Sequence, residues 1–131
     1  MATKMFLNLP VKDLNRSMEF FKRMGFAFNL QYTNEKGACM VISDTIYVML
    51  LIEDFFTSFT KKKVPDTLAS AQAIIGISAE SRETVDLLVE KAFDAGAGVY
   101  NDPQDMGFMY SRSFADLDGH LWEVFHMEEV T

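Results

Sequence analysis

Few side chains in this chain have both the type and the spacing to do chemistry, and the most suggestive is a glutamate near the C-terminus. It lies in Ser113-Phe114-Ala115-Asp116-Leu117-Asp118-Gly119-His120-Leu121-Trp122-Glu123-Val124-Phe125, which reads as strand, tight turn, strand. Strand alternation puts Leu121, Glu123 and Phe125 on one face, and His120, Trp122, Val124 and His126 on the other. A carboxylate set between two apolar residues can hold a polar ligand, take a proton as a general base, or coordinate a metal ion. The two histidines point away from it, so the strand cannot gather all three into one site; they are expected on a polar or dimer-facing surface. Cys39 is the only cysteine. That excludes an internal disulfide and a Cys-rich zinc site, and the residue is expected to be small filler in a strand. No Ser-His-Asp order, phosphate-binding glycine loop or Cys-His pair occurs, and Gly96-Ala97-Gly98 reads as a helix stop.

The elements that must position Glu123 come in two rounds. Met5 to Val11 alternates as a strand, with Phe6 and Asn8 on one face. Asp13 can cap a helix from Leu14 to Met24, which Gly25 ends. Phe26 to Tyr32, Ala38 to Ile42 and Ile46 to Ile52 read as three further strands. After Glu53 the period is lost: Phe55, Phe56 and Phe59 suit one helical turn, and the stretch through Pro65 reads as a connector. Then the order restarts. Gln72 to Ala79 is a strand, and Ser81 caps a helix from Arg82 to Ala95 with Val85, Leu88, Val89 and Ala92 as its apolar stripe. Ala97 to Tyr100 is a strand, Asn101 to Gly107 a loop, and Phe108 to Ala115 with Leu121 to Met127 a hairpin turning at Asp118-Gly119. The chain is therefore expected to be α+β, with two tandem βαβββ modules in one domain over residues 1–131: module one at about 1–54, a connector at about 55–70, module two at about 71–131.

Composition narrows the function classes. A 49% hydrophobic content in 131 residues supports a real core. The net charge of −7 argues against a nucleic-acid partner, which needs a basic surface. Lys61-Lys62-Lys63 is the one basic run and reads as a solvated connector. The longest apolar run, Ile46 to Ile52, is too short to span a bilayer, and no export signal is visible, so a cytoplasmic protein is expected.

The repeated βαβββ order, the N-terminal Leu9-Pro-Val-Lys-Asp-Leu-Asn-Arg-Ser17 with Phe20-Phe21 and Gly25-Phe26, and the C-terminal Asp116-Leu-Asp-Gly-His-Leu-Trp-Glu123 together resemble the vicinal oxygen chelate superfamily. This is the group of glyoxalase I, the bleomycin-resistance proteins, the extradiol dioxygenases and the fosfomycin-resistance enzymes. The resemblance covers essentially the whole chain. It implies a curved, partly closed mixed sheet with the helices outside and a concave cleft. In metal-using members four positions hold a divalent ion. They match Phe6, Met49, Ile74 and Glu123 here, so three of the four are apolar.

These residues lead to a metal-independent small-molecule-binding protein resembling the bleomycin-resistance branch, with no cofactor and a homodimeric state. Phe6, Asn8, Tyr47, Met49, Ile74, Met109 and Glu123 are the expected ligand-binding residues, and Glu123 is the only catalytic candidate. Two alternatives stay open: a glyoxalase-like lyase or dioxygenase using a divalent metal, and a non-catalytic dimeric scaffold whose cleft is filled by its own side chains. If structural only, Glu123 would be satisfied by Tyr47, Arg112 or a buried water. Asp102 to Phe108 could fold over the cleft as a lid or be a plain connection.

Overall fold

Local side-chain chemistry starts the two long helices where the sequence places them. Asp13 accepts the Arg16 N–H at 3.1 Å, and Ser81 Oγ accepts the Thr84 N–H at 3.1 Å. Each relieves an amide that the first helical turn cannot pair. Helix α1 spans Leu14–Met24 and is closed by Gly25 at φ 105°. Helix α2 spans Glu53–Thr60 and stops at Lys61, a left-handed residue at φ 59°. Helix α3 spans Arg82–Asp94.

The computed structural model describes residues 2–128. It divides into two units, Met1–Pro65 and Asp66–Thr131. The first unit contains strands β1 (Met5–Val11), β2 (Ala27–Asn29), β3 (Gly37–Val41) and β4 (Ile46–Ile52) in the order β1-β4-β3-β2. The second contains β5 (Ile74–Ser78), β6 (Gln104–Asp105), β7 (Met109–Ala115) and β8 (Leu121–Met127) in the order β5-β8-β7-β6. In each unit the first strand pairs parallel with the last, and the other pairings are antiparallel. Each unit is thus a βαβββ module of the α+β class expected, but with its own four-stranded mixed sheet. In place of the one curved, partly closed sheet that the resemblance implies there are two separate sheets, neither of them closed, because among the described residues no strand of one module is hydrogen-bonded in register to a strand of the other. Among the described residues no helix is long and apolar enough to cross a membrane.

Several local expectations need correction. The strand expected over Phe26 to Tyr32 ends at Asn29, whose side chain accepts the Gln31 N–H at 3.0 Å and turns the chain into a single turn of 3-10 helix. The connector after module one contains α2, eight residues long rather than one turn. Ala97 to Tyr100 makes only a bridge between Gly98 and Ala115. The short strand β6 lies instead inside the segment expected to be loop. Both errors come from pairing with β7, which is chosen by tertiary register and not by local propensity.

Each sheet has one face under a helix and one open face. In the first unit α1 packs on β3 and β4. Leu9, Val11, Met40, Val48 and Leu50 line that side and are buried with Phe20, Phe21 and Met24. In the second unit α3 packs on β7 and β8, burying Phe114, Trp122 and Val124 against Val85, Val89 and Ala92. Full burial of one such side chain contributes about 1.5–3 kcal/mol. The face opposite Glu123 is therefore core and not a polar surface. His120 and His126 sit half-buried at its two ends, and the His126 ring lies 3.0 Å from the Ala79 carbonyl oxygen.

Candidate functional site

Strand register makes the open faces of the two sheets position-for-position equivalents. Asn8 on β1 lies opposite Met49 on β4, which lies opposite Cys39 on β3. Gly76 on β5 lies opposite Glu123 on β8, which lies opposite Ser113 on β7. Phe6–Tyr47 and Ile74–Leu121 occupy the next matching row. The repeat is thus exact in register and divergent in chemistry: where one unit carries Asn, Met and Cys, the other carries Gly, Glu and Ser.

The first open face forms a half-open groove of about 420 Å³ that includes Phe6, Tyr47, Met49 and Cys39. Phe6 and Tyr47 stack across the parallel pair with ring centroids 4.9 Å apart and planes 12° apart. Phe6 is 52% exposed, so its ring is held by Tyr47 and still open to a ligand. Lys4, two residues before Phe6, brings its ammonium 5.7 Å from the Tyr47 ring centre. The Tyr47 hydroxyl donates to the Asp44 carbonyl at 3.0 Å. Asn8 is exposed and donates weakly to the Phe6 carbonyl at 3.3 Å. Cys39 is buried in the groove wall, and burial pushes its thiol above the ordinary value. The other end of this face is covered: a Cβ on Gly37 would meet Leu51 at 2.7 Å and the Phe55 ring of α2 at 3.8 Å.

On the second open face Glu123 is half-buried between Leu121 and Phe125, with Gly76 and Ser113 on either side. It makes no hydrogen bond or salt bridge to any described residue. The partners expected for a structural role are engaged elsewhere. Arg112 points to the helix side and binds Asp86 at 3.1 Å and Glu90 at 2.8 Å. Tyr110 adds a 2.6 Å bond to Asp86, and this bond above all holds the Asp86 carboxyl below its ordinary value. Ile74 is exposed at the free edge of the sheet, and Met109 is half-buried at the far end of β7.

Tyr100 is the residue that sequence reasoning missed. Its hydroxyl reaches across 22 positions to donate to the Trp122 carbonyl at 3.1 Å. Burial first pushes that hydroxyl above its ordinary value, Ser113 opposes the rise, and the charge of Glu123 adds to it. Tyr100, Ser113 and Glu123 thus form one polar cluster, in which the Ser113 hydroxyl is buried without a well-formed hydrogen bond among the described residues. No local signal marks this, since Tyr100 sits in a stretch that reads as an ordinary strand. The neighbouring segment is tied to α3 at the positions of Asp105 and Gly107. Arg82 of α3 grips Asp105 through two bonds of 2.8 and 3.0 Å and donates to the Gly107 carbonyl at 2.9 Å.

The donor set can be tested against a divalent metal. Phe6, Met49 and Ile74 offer no hard or borderline donor, which leaves Glu123 alone where a stable site needs three or four ligands. Among the described residues no three His, Cys, Asp or Glu side chains are grouped to hold an ion. The residues do not fit such a group.

Comparison with known proteins places this architecture. A hypothetical protein of S. aureus is 28% identical, with a TM-score of 0.80 over 96% of this chain and 94% of that one. A glyoxalase/bleomycin resistance protein/dioxygenase family enzyme of Burkholderia phytofirmans is 14% identical, with a TM-score of 0.78 over 96% and 99%. A genomically encoded fosfomycin resistance protein of Listeria monocytogenes is 22% identical, with a TM-score of 0.68 over 96% and 93%. No curated protein matches the sequence. The family sequence model, however, matches residues 5–124, nearly the whole of both βαβββ modules, and the chain belongs to the Glyoxalase/Bleomycin resistance protein/Dioxygenase superfamily.

Proposed function

We propose that this chain is a metal-independent binding member of its superfamily, nearest in kind to the bleomycin-resistance branch, that holds a small organic molecule on its open sheet faces. One observation carries the reading. The positions that supply metal donors in metal-using members hold Phe6, Met49 and Ile74, and the first two line an open groove of small-molecule size. Exposed aromatic and thioether side chains gain most from covering a flat or partly apolar ligand. Glu123, whose carboxylate has no hydrogen bond or salt bridge among the described residues, adds a polar anchor or a base. A homodimeric state, expected from the resemblance, belongs to the same proposal.

The test is made on the purified protein. Metal analysis should find no stoichiometric divalent ion, and mass spectrometry of the organic extract should find a small molecule whose retention falls in Phe6→Ala. A stoichiometric divalent ion that is lost in Glu123→Gln would overturn the metal-independent reading.

A further inference from the structure

We infer that the groove of the first unit selects a planar aromatic anion, a ring system carrying a carboxylate or similar acid. The inference rests on the small-molecule reading above and names the class of ligand.

It comes from the hydrogen-bonding sense of the groove. Lys4, Phe6, Asn29, Cys39, Tyr47 and Met49 line it with Tyr32, and there is no carboxylate among them. In a chain of net charge −7 that is a local exception. The Lys4 ammonium has no salt bridge among the described residues and only the Tyr47 ring beneath it. The Asn29 side chain has a fixed orientation, because its Oδ1 accepts the Gln31 N–H at 3.0 Å. Its Nδ2 is then left with two protons to donate and nothing to accept with. Tyr47 uses its hydroxyl proton on the Asp44 carbonyl. Among the lining side chains the unused polar groups are therefore Lys4 Nζ and Asn29 Nδ2, which can only donate, and the Tyr32 hydroxyl, which can donate as well as accept. Beside them stand the stacked rings of Phe6 and Tyr47 and the 64% exposed ring of Tyr32. Donors beside aromatic faces complement a flat ring that ends in an anion. A cationic ligand would face Lys4 unscreened by any acid in the groove. The volume of about 420 Å³ falls in the range that holds small ligands.

Three probes of equal shape separate the possibilities: 2-naphthoate, 2-naphthamide and 2-naphthylmethylammonium. Binding to the full chain is followed by calorimetry and by amide NMR shifts at Phe6, Cys39 and Met49. Naphthoate should bind more tightly than the amide by about five- to tenfold, the size of one charge-assisted hydrogen bond in a half-open site. Lys4→Gln should erase most of that difference by weakening naphthoate far more than the amide; Lys4 is exposed ahead of β1, so the variant keeps the fold. Equal binding of amide and naphthoate, tighter binding of the ammonium probe, or no effect of Lys4→Gln would overturn the anion inference and leave the small-molecule reading standing. If none of the three probes shifts the groove signals at millimolar concentration, both fall.

Discussion

The indole N–H of Trp122 donates to the carboxylate of Asp116 at 3.0 Å, inside the hairpin that carries Glu123. The other oxygen of Asp116 accepts the backbone N–H groups of Asp118 and His120, both at 3.0 Å. One buried side chain thus shapes the turn and fixes the ring beneath the sheet. Burial pushes the Asp116 carboxyl above its ordinary value, against the pull of His120 and of these N–H donors. Asp116→Ala leaves three donors unpaired and should cost about 2–4 kcal/mol in urea unfolding. Asp116→Asn keeps an acceptor for the backbone and should cost less. Equal stability of wild type and Asp116→Ala would refute this role.

Two glycines with similar backbones should respond differently to alanine. Gly119 has φ 85° and Gly107 has φ 82°. A Cβ at Gly119 would collide with the Thr67 carbonyl oxygen and approach Leu68 Cα to 2.9 Å, whereas at Gly107 it meets nothing within 4 Å. Gly107→Ala should therefore lose only the left-handed penalty of about 1–2 kcal/mol, and Gly119→Ala distinctly more. Thermal melts of the two variants side by side decide the matter.

Acid should release the clasp between β6 and α3. The Arg82 guanidinium, and next the Gly107 N–H, hold the Asp105 carboxyl down from 3.8 to about 2. A folded value below the unfolded one means the stabilisation is present above 3.8 and is lost as pH falls toward about 2. The pair is solvent-exposed, so its effect is small and screened by salt. The unfolding midpoints of wild type and Asp105→Asn should differ slightly at neutral pH and converge near pH 2; a gap that widens in acid contradicts the assignment.

Cys39 should be slow to alkylate in the folded protein. It is buried, and that burial raises its thiol, so little thiolate is present near neutral pH. Iodoacetamide at pH 8 should modify it at least tenfold more slowly than in urea. A native rate equal to the unfolded rate would show that the groove wall opens freely.

The sequence by itself determined the features set by neighbours in the chain. Asp13, Ser81 and Gly25 mark helix ends because capping and left-handed turns act within a few residues. The repeated βαβββ order and the alternation along β1, β4 and β8 were legible for the same reason. The repeat aligned Phe6 with Ile74, the family resemblance placed Met49 and Glu123 on the last strands of the two modules, and the strand registers make both pairs equivalent. Only tertiary structure decided what crosses strands. It sent Arg112 to Asp86 and Glu90 instead of Glu123, brought Tyr100 to Trp122, gave Asp116 the turn, and left Lys4 and Asn29 as unused donors in one groove. Each of these turns on which partner a polar group reaches, and a sequence read locally carries no distances between strands.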